Sequence, residues 1–195
     1  MIPCQEKKSM DNGASSYRRF LDGDDSSFVE IIRDYYDGLT LYLNVYVRNL
    51  SVAEELAEDT FVKLVTKKPK FIGRSSFKTW LYAIGRNLAV DYIRRNAKNK
   101  DVSLDCCTEL TSDEEELEHR YIREEGRITL HRAMLRLKTE YRQVLWLTYF
   151  ENLKAKEAAR IMKRSVHSVE NLIYRARLSL KSELEKEGFI YEKLQ

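Results

Sequence analysis

Residues that make turns are scarce in this sequence, which has 7 glycines and 2 prolines among 195 residues. A many-stranded fold needs such residues at short intervals, so their scarcity argues against a protein built from sheets. Apolar residues instead recur at three- and four-residue steps along most of the chain, which is typical of amphipathic helices. The sequence therefore predicts an all-α protein.

Long apolar runs are missing as well. No stretch approaches the ~20 consecutive apolar residues of a membrane span, and the first residues, MIPCQEKKSMDNG, lack the apolar core of a secretion signal. Cysteine occurs three times, and Cys4, Cys106 and Cys107 do not have the spacing of metal ligands. By elimination we expect a cytoplasmic protein with reduced thiols and no insertion into membranes.

Signals of catalysis are also absent from the sequence. It has no glycine-rich phosphate loop and no nucleophile motif, and its three histidines, His119, His131 and His167, are scattered. We therefore expect no enzyme activity, no cofactor and no metal site.

Charge is distributed unevenly along the chain. Residues 15–100 carry a net charge of +4 and residues 126–195 a net charge of +7, whereas residues 101–125 carry −8. Two basic segments separated by an acidic one indicate two helical domains joined by a solvated, flexible linker. The expected divisions are a disordered start (1–15), a first helical domain (16–98), an acidic linker (99–124) and a second helical domain (125–190).

The most informative stretch runs from Phe71 to Arg95. An apolar stripe of helical spacing runs along it, and between Lys67 and Lys100 ten basic residues stand against one acidic residue, Asp91. This combination suits binding to a nucleic-acid backbone with exposed bases nearby, although a buried helix with a solvated basic face explains the same pattern. The stripe consists of Phe77, Trp80, Leu81, Ile84 and Leu88, and the residues off the stripe are Lys78, Tyr82, Arg86 and Arg94.

A polar loop, Gly73 to Ser76, precedes this helix, and Ser75 or Ser76 is its predicted N-cap. Loop amides, hydroxyl groups, Arg74 and the start of a helix would then converge in an environment that suits phosphate.

An acidic turn begins the helix before that loop. Ser51 to Glu54 fits a capping box, and Glu54, Glu55, Glu58 and Asp59 crowd the first turns. Compensation of the helix dipole explains some acidic groups at a helix start, and a surface for a protein partner is the alternative explanation.

Near the C-terminus the pattern predicts a helix-turn-helix, in which the second helix enters the DNA major groove. Ala158 and Ala159 allow two helices to cross closely, Lys163 and Arg164 make the turn, and Ser165 is the predicted N-cap of the second helix. An ordinary helical hairpin is the alternative. Thr139 is the predicted N-cap of the helix before this pair.

Three motifs together resemble bacterial RNA polymerase sigma factors. The pattern FxxWLxxIxRNxxxDxxRR, here Phe77 to Arg95, is similar to the promoter-melting segment of that family, and AEELAEDTFVKL resembles its polymerase-clamp helix. The segment from Tyr141 through SVHSVENLIYRARLSL resembles its C-terminal helix-turn-helix. The match covers roughly residues 16–98 and 125–186, with a linker and no further helical domain between them, which is the layout of the extracytoplasmic-function subgroup.

The resemblance implies an alternative sigma factor, a subunit without catalysis of its own that directs transcription initiation at specific promoters. Its implied partners are the clamp and flap of core RNA polymerase, promoter DNA and, as for many family members, an anti-sigma factor. A stand-alone helix-turn-helix regulator that binds duplex DNA without the polymerase is the alternative, but such a protein needs neither the acidic turn nor the Phe71–Arg95 stretch.

The resemblance also assigns residues to each partner. The implied polymerase contacts are Glu54, Glu55, Leu56, Glu58, Asp59 and Phe61. The implied contacts with the −10 element are Phe71, Arg74, Ser75, Ser76, Lys78, Thr79, Trp80, Tyr82, Arg86 and Arg94. The implied contacts with the −35 element are Arg164, Ser165, His167, Ser168, Glu170, Asn171, Tyr174, Arg175 and Arg177. Because Phe77 and Trp80 lie on the apolar stripe, Phe71 and Tyr82 are the expected base-stacking residues.

Two positions depart from the family pattern. Lys163 lies in the turn where family members often have glycine, which predicts strain if the turn needs a positive φ. Lys154 takes the place of a serine or threonine that often caps the first helix of the motif.

Overall fold

The computed structural model describes residues 12–99 and 125–186, and these ranges contain helices and no strands. The N-terminal unit comprises α1 (Asn12–Leu21), α2 (Ser26–Val47), α3 (Leu50–Lys67) and α4 (Phe77–Asn99). The C-terminal unit comprises α5 (Glu125–Arg136), α6 (Thr139–Leu145), a π-helical turn (Trp146–Phe150), α7 (Ala155–Met162) and α8 (Val166–Lys186). The all-α prediction is confirmed. Residues 100–124, almost all of the predicted linker, lie outside the described ranges.

The long helix α2 lies at the centre of the N-terminal unit and packs against α1, α3 and α4. The core is rich in aromatic rings: Tyr17 of α1 lies 5.4 Å from both Phe77 and Trp80 of α4, measured between ring centroids. Phe77, Trp80 and Leu81, the first part of the apolar stripe predicted for α4, therefore face the core, whereas Ile84 and Leu88 are half-buried.

The predicted disordered start is too long, because α1 begins at Asn12. Gly13 explains the early start: a Cβ at this position would lie 2.5 Å from side-chain atoms of both Phe77 and Tyr35. Without a side chain, the first turn of α1 fits tightly against α2 and α4.

The helix ends follow the predicted caps in two cases and not in two others. Ser76 Oγ accepts a hydrogen bond from Thr79 N at 3.3 Å, and Ser165 Oγ accepts one from Ser168 N at 3.2 Å, so both serines cap their helices as predicted. The capping box at Ser51 is wrong. Asn49 is the N-cap, two residues earlier: its Oδ1 accepts from Val52 N at 2.9 Å, and α3 begins at Leu50, which is buried.

Thr139 is not the N-cap of α6, because the extended residue there is Lys138 and Thr139 is already helical. Its hydroxyl instead accepts from Arg142 Nη2 at 3.2 Å.

A helix-turn-helix is present at the predicted place. A three-residue turn joins α7 and α8, and Ala158 and Ala159 are buried where the helices cross. Lys163 has φ +54° and ψ +46°, the left-handed conformation that favours glycine, as the sequence predicted for a strained turn. Lys154 supplies no side-chain oxygen at the start of α7, and its backbone N–H donates to Glu157 Oε2 at 3.1 Å instead.

The two units contact each other at two places, where α4 packs on α7 and where α2 packs on α6. At the second place two arginines cross the junction. Arg48 Nη2 donates to the carbonyl of Leu135 at 2.7 Å, and Arg142 donates to the carbonyls of Leu135 and Val45 at 3.1 and 3.4 Å. Arg48 thus contacts the C-terminal end of α5, and Arg142 contacts the C-terminal end of α2. The C-terminal end of a helix attracts positive charge. Burial, together with the nearby charge of Arg48, lowers the pKa of Arg142 to about 10.

Candidate nucleic-acid and protein interfaces

The outer face of α3 is acidic and partly apolar. Glu55, Glu58 and Asp59 are exposed and Glu54 is half-buried. Val62, which is 55% exposed, and Val65 continue the same face one and two turns further along. Apolar side chains exposed beside carboxylates suit contact with a protein partner. Compensation of the helix dipole explains acidic groups at a helix start but not the exposed valines. The sequence analysis missed the two valines, which are recognisable as apolar residues off the buried stripe.

Leu56 and Phe61, expected among the polymerase contacts, are buried instead. Phe61 lies between α2 rings, 6.3 Å from Phe28 and 6.0 Å from Tyr36. Both side chains hold α3 against α2, which corrects their assignment as contact residues: they support the acidic face without forming it.

The loop between α3 and α4 exposes basic side chains and is fixed at its base. Tyr17 Oη donates to the carbonyl of Pro69 at 2.9 Å, and the Phe71 ring packs 5.2 Å from Trp80. Phe71 is therefore only half-exposed, while Lys68, Lys70, Arg74 and the unpredicted Ile72 are exposed. Trp80 is half-buried and packs beside Tyr17 in the aromatic core, and its assignment as a DNA contact stays a prediction.

Tyr82 is buried, contrary to the expectation that it is free to stack on a base. It is 1% exposed, its ring stacks on Tyr42 of α2 at 5.3 Å, and its hydroxyl donates to Glu151 Oε2 at 2.8 Å. Burial, followed by the charge of Glu151, raises its pKa well above the ordinary value for tyrosine. The expectation failed because α4 is covered on two sides, by α2 and by the C-terminal unit.

The remaining −10 candidates differ in exposure. Arg74 and Arg94 are exposed, and Arg94 pairs with Asp91 at 3.1 Å. Ser75, Ser76 and Lys78 are half-buried, and Thr79 is 1% exposed. Arg86 is half-buried, and its Nε atom is buried without a hydrogen-bond partner. Its charge lies near the hydroxyls of Tyr42 and Tyr46, which corrects its expected place on an open face.

The −35 candidates come together at the start of α8. His167 and Asn171 are exposed, and Asn171 Nδ2 lies 3.1 Å from His167 Nε2. With Arg164 and Arg175 they line an open groove that Lys138, the residue before α6, also borders. This is an exposed, mainly basic surface on the second helix of a helix-turn-helix, which suits a DNA groove. The other candidates also lie in the turn or on α8, and they are Ser165, Ser168, Glu170, Tyr174 and Arg177.

The sequence analysis missed the contribution of α6 to this groove. Glu140 is also part of the lining, and its Oε1 pairs with Arg164 Nη2. Because the two residues are far apart in sequence, no local spacing indicates this pair.

Within residues 12–99 and 125–186, no cluster of three or more potential metal ligands occurs. In the same ranges no helix is long and apolar enough to cross a membrane.

Two family patterns match the chain. The pattern for Sigma-70 region 2 matches residues 31–99, and the pattern for Sigma-70, region 4 matches residues 127–180. The first range holds the acidic face of α3 and the basic loop with α4, and the second holds the helix-turn-helix.

Curated relatives align over nearly their whole length. RNA polymerase sigma factor YlaC of Bacillus subtilis (strain 168) is 34% identical over 164 residues, covering 82% of this chain and 93% of that protein. ECF RNA polymerase sigma factor SigW of the same organism is 28% identical over 172 residues, covering 83% and 91%.

Solved structures share the fold. CnrH, determined in complex with the cytosolic domain of CnrY, aligns with a TM-score of 0.63 at 23% identity, covering 90% of this chain and 98% of that chain. RpoE of Bartonella quintana, determined in complex with the anti-sigma factor NepR, aligns with a TM-score of 0.61 at 19% identity, covering 81% and 96%. Since both regions match in order and YlaC aligns at 34% identity, the chain belongs to the sigma-70 family of RNA polymerase sigma factors, in its extracytoplasmic-function (ECF) subgroup.

Proposed function

We propose that this chain is an alternative sigma factor that binds core RNA polymerase, recognises a −35 element and melts a −10 element. The observation that carries the proposal is the order of three surfaces in one chain: an acidic face on α3, a basic loop leading into α4, and the exposed start of α8. A stand-alone regulator has no need for the first two. As a sigma factor, the chain is non-catalytic, and a cytoplasmic location goes with this function.

The acidic face of α3 is the proposed polymerase contact. Glu55, Glu58 and Asp59 would pair with basic groups of the polymerase clamp, and Val62 and Val65 would supply apolar contact area beside them. Charges of opposite sign mainly set specificity and association rate, whereas the apolar contacts contribute affinity. The flap is the proposed second contact on the polymerase.

The loop before α4 and the first turns of that helix are the proposed site for the −10 strand. Lys68, Lys70 and Arg74 would bind phosphates, and the capped start of α4 attracts them as well. Phe71 and Ile72 are the apolar groups at the loop surface that an unpaired base could contact. Each base–aromatic stack contributes about 1–3 kcal/mol, which offsets the few kcal/mol that unstacking a base costs.

The start of α8 is the proposed site for the −35 duplex. Arg175 suits a guanine edge or a phosphate, and Asn171 suits adenine. The bond between Asn171 and His167 orients the carboxamide toward one side of the groove. Each good bidentate contact discriminates against the wrong base by about 1–3 kcal/mol.

In vitro transcription tests the proposal. Core polymerase is incubated with a genomic fragment library, with and without this protein, and the new 5′ ends are sequenced. We expect transcripts that depend on the protein and start downstream of a shared bipartite motif. If no such transcripts form while the protein alone binds duplex DNA specifically, the stand-alone regulator is the correct function.

A further inference from the structure

The groove at the start of α8 holds a carboxylate among its basic side chains. Lys138, Arg164 and Arg175 line it together with Glu140, which is the acidic residue of this lining in the part of the chain that the structure describes. A surface that approaches DNA phosphates favours cations, so a carboxylate there weakens binding to any duplex. The place of Glu140 in this groove therefore needs a reason.

Glu140 is paired with one particular cation. It lies in the first turn of α6, and its Oε1 accepts from Nη2 of Arg164, in the turn between α7 and α8. The side chains of Glu140 and Arg164 are 54% and 36% exposed, and an ion pair as exposed as this contributes little to the stability of a fold. A carboxylate in the first turn also compensates the helix dipole, but that effect needs no partner in the helix-turn-helix.

The other cations of the groove are not compensated in this way. Within residues 12–99 and 125–186, neither Lys138 nor Arg175 forms an ion pair with a carboxylate, and Glu170, the nearby acidic residue on the exposed side of α8, forms none either. Lys138 and Arg175 can thus bind phosphates directly, whereas Arg164 first has to leave Glu140.

This difference separates two kinds of DNA complex. Binding to a random duplex depends almost entirely on cations that displace counterions, and no phosphate is then held at a fixed place. A duplex whose bases are read by α8 is held in register, which keeps one phosphate beside the turn that contains Arg164. Because the ion pair is open to solvent, a phosphate fixed there can replace the carboxylate with little loss of free energy.

We propose that Glu140 is a specificity-determining residue, which withholds Arg164 from the phosphates of random duplex DNA and releases it to a phosphate of the cognate −35 element. The inference rests on the function proposed above and concerns the selectivity of its −35 site. Discrimination between two duplexes is a ratio of affinities, so a residue that weakens the wrong complex more than the right one increases it. Glu140 acts in this way without reading a base itself.

The first test measures binding of the free, full-length protein to a fluorescent pool of short random-sequence duplexes over a range of salt concentrations. In Glu140→Gln the guanidinium of Arg164 loses its carboxylate and becomes a further phosphate contact. We expect binding about threefold tighter, the size of an exposed ion pair, and a slope of log affinity against log salt that is steeper by about 0.9. An unchanged affinity and slope would overturn the inference.

The double variant Glu140→Gln with Arg164→Gln shows which residue gains the contact. It leaves the net charge of the groove as in the wild type, so its slope should return to the wild-type value. A slope shallower than the wild type by about 0.9 would show that Arg164 contacts phosphate even beside Glu140, which would also overturn the inference. Glu30→Gln is the matched control: it removes the carboxylate of an exposed pair with Arg19, between α1 and α2 and outside the proposed DNA surfaces, and should bind as the wild type.

The second test measures selectivity with the holoenzyme. Its affinity for a promoter found by transcription is compared with its affinity for the same duplex with a scrambled −35 element. The ratio should fall about threefold in Glu140→Gln, because the scrambled duplex gains a contact that the promoter already has. An unchanged ratio would contradict the inference. If the wild-type holoenzyme makes no protein-dependent transcripts, the proposed function fails instead, whereas the titration with random duplexes still tests the pairing of Glu140 with Arg164.

Discussion

At the scale of single residues, Lys163 and Tyr17 affect the stability of the fold without any partner. The left-handed Lys163 stores strain in the turn of the helix-turn-helix, and the buried hydroxyl of Tyr17 ties α1 to the loop before α4. The first was predictable from the sequence, because Lys163 lies at a turn position where members of the family often have glycine. The second was not, because Tyr17 and Pro69 are separated by 52 residues and meet only in the folded chain.

Replacing Lys163 by glycine should stabilise the protein by about 0.5–1 kcal/mol, because glycine adopts φ +54° without the penalty that a Cβ brings. The shift of the urea midpoint measures the change. Lys156→Gly is the matched control on the exposed side of α7, and it should destabilise by about 1 kcal/mol. If Lys163→Gly and Lys156→Gly lowered the free energy of unfolding by the same amount, the turn would not be strained.

Replacing Tyr17 by phenylalanine should reduce the decrease in the free energy of unfolding at alkaline pH. Burial raises the pKa of Tyr17 to about 12, whereas an unfolded tyrosine ionises near pH 10. The contribution of the neutral Tyr17 hydroxyl to the free energy of unfolding is therefore complete below pH 10 and is lost as the pH rises toward 12. At pH 8 the variant should be less stable by about 1 kcal/mol, the value of a lost hydrogen bond.

Urea unfolding of both proteins at pH 8 and pH 11 checks this prediction. The other buried tyrosines are common to the two proteins, so the difference between their pH responses belongs to Tyr17. If the free energy of unfolding fell by the same amount in both proteins between pH 8 and pH 11, the role assigned to Tyr17 would be wrong.

At the scale of helices, periodicity predicted which faces are buried more reliably than it predicted which faces are free. The first part of the apolar stripe of α4, through Leu81, and the helix-turn-helix follow from local spacing, and both are confirmed. Tyr82 and Arg86 were expected on an open face, but α4 is covered by α2 and by α7, and a spacing rule that assumes one buried side cannot detect the second. For the same reason Leu56 and Phe61 were assigned to a partner although they belong to the core.

Cap prediction shows how burial outweighs local preference. Ser51 and Glu54 form a good capping pattern, but Leu50 is buried as the first residue of α3, so the N-cap is Asn49. The capping energies involved are about 1 kcal/mol, whereas burying a leucine contributes about 1.5–3 kcal/mol.

Reversing charge on α3 should abolish binding to core polymerase without unfolding the protein. Glu58→Lys together with Asp59→Lys changes two exposed residues, so helical content by circular dichroism should stay the same while co-purification with core polymerase is lost. Asp22→Lys with Asp34→Lys makes the same change of charge at exposed positions of the turn before α2 and of α2. That control should co-purify normally, and normal co-purification of the α3 variant would rule out the acidic face as the polymerase contact.

At the scale of the whole molecule, the sequence predicted the surfaces but not their arrangement. Lys78 and Glu151 are 73 residues apart, and nothing local to either indicates that they pair. The uneven distribution of charge also explains how a chain with a net charge of only +3 can bind DNA. Ten basic residues stand against one acidic residue between Lys67 and Lys100, whereas residues 101–125 carry −8 and four carboxylates crowd the first turns of α3.

Promoter binding by the holoenzyme should weaken steeply with salt, because the basic side chains displace counterions from phosphates. Plotted as the logarithm of affinity against the logarithm of salt concentration, replacing Arg74 by alanine should reduce the slope by about 1. Arg33→Ala, an exposed arginine of α2 outside the proposed DNA surfaces, should leave the slope unchanged.

The most direct test of the account is a binding titration of one promoter found by transcription, with this protein alone, with core polymerase alone and with both. We predict specific binding only with both, since the proposed function has the chain recognise its promoter as a subunit of the polymerase. Specific binding of the duplex by the protein alone, as tight as binding by the holoenzyme, would contradict the account and would identify a stand-alone regulator.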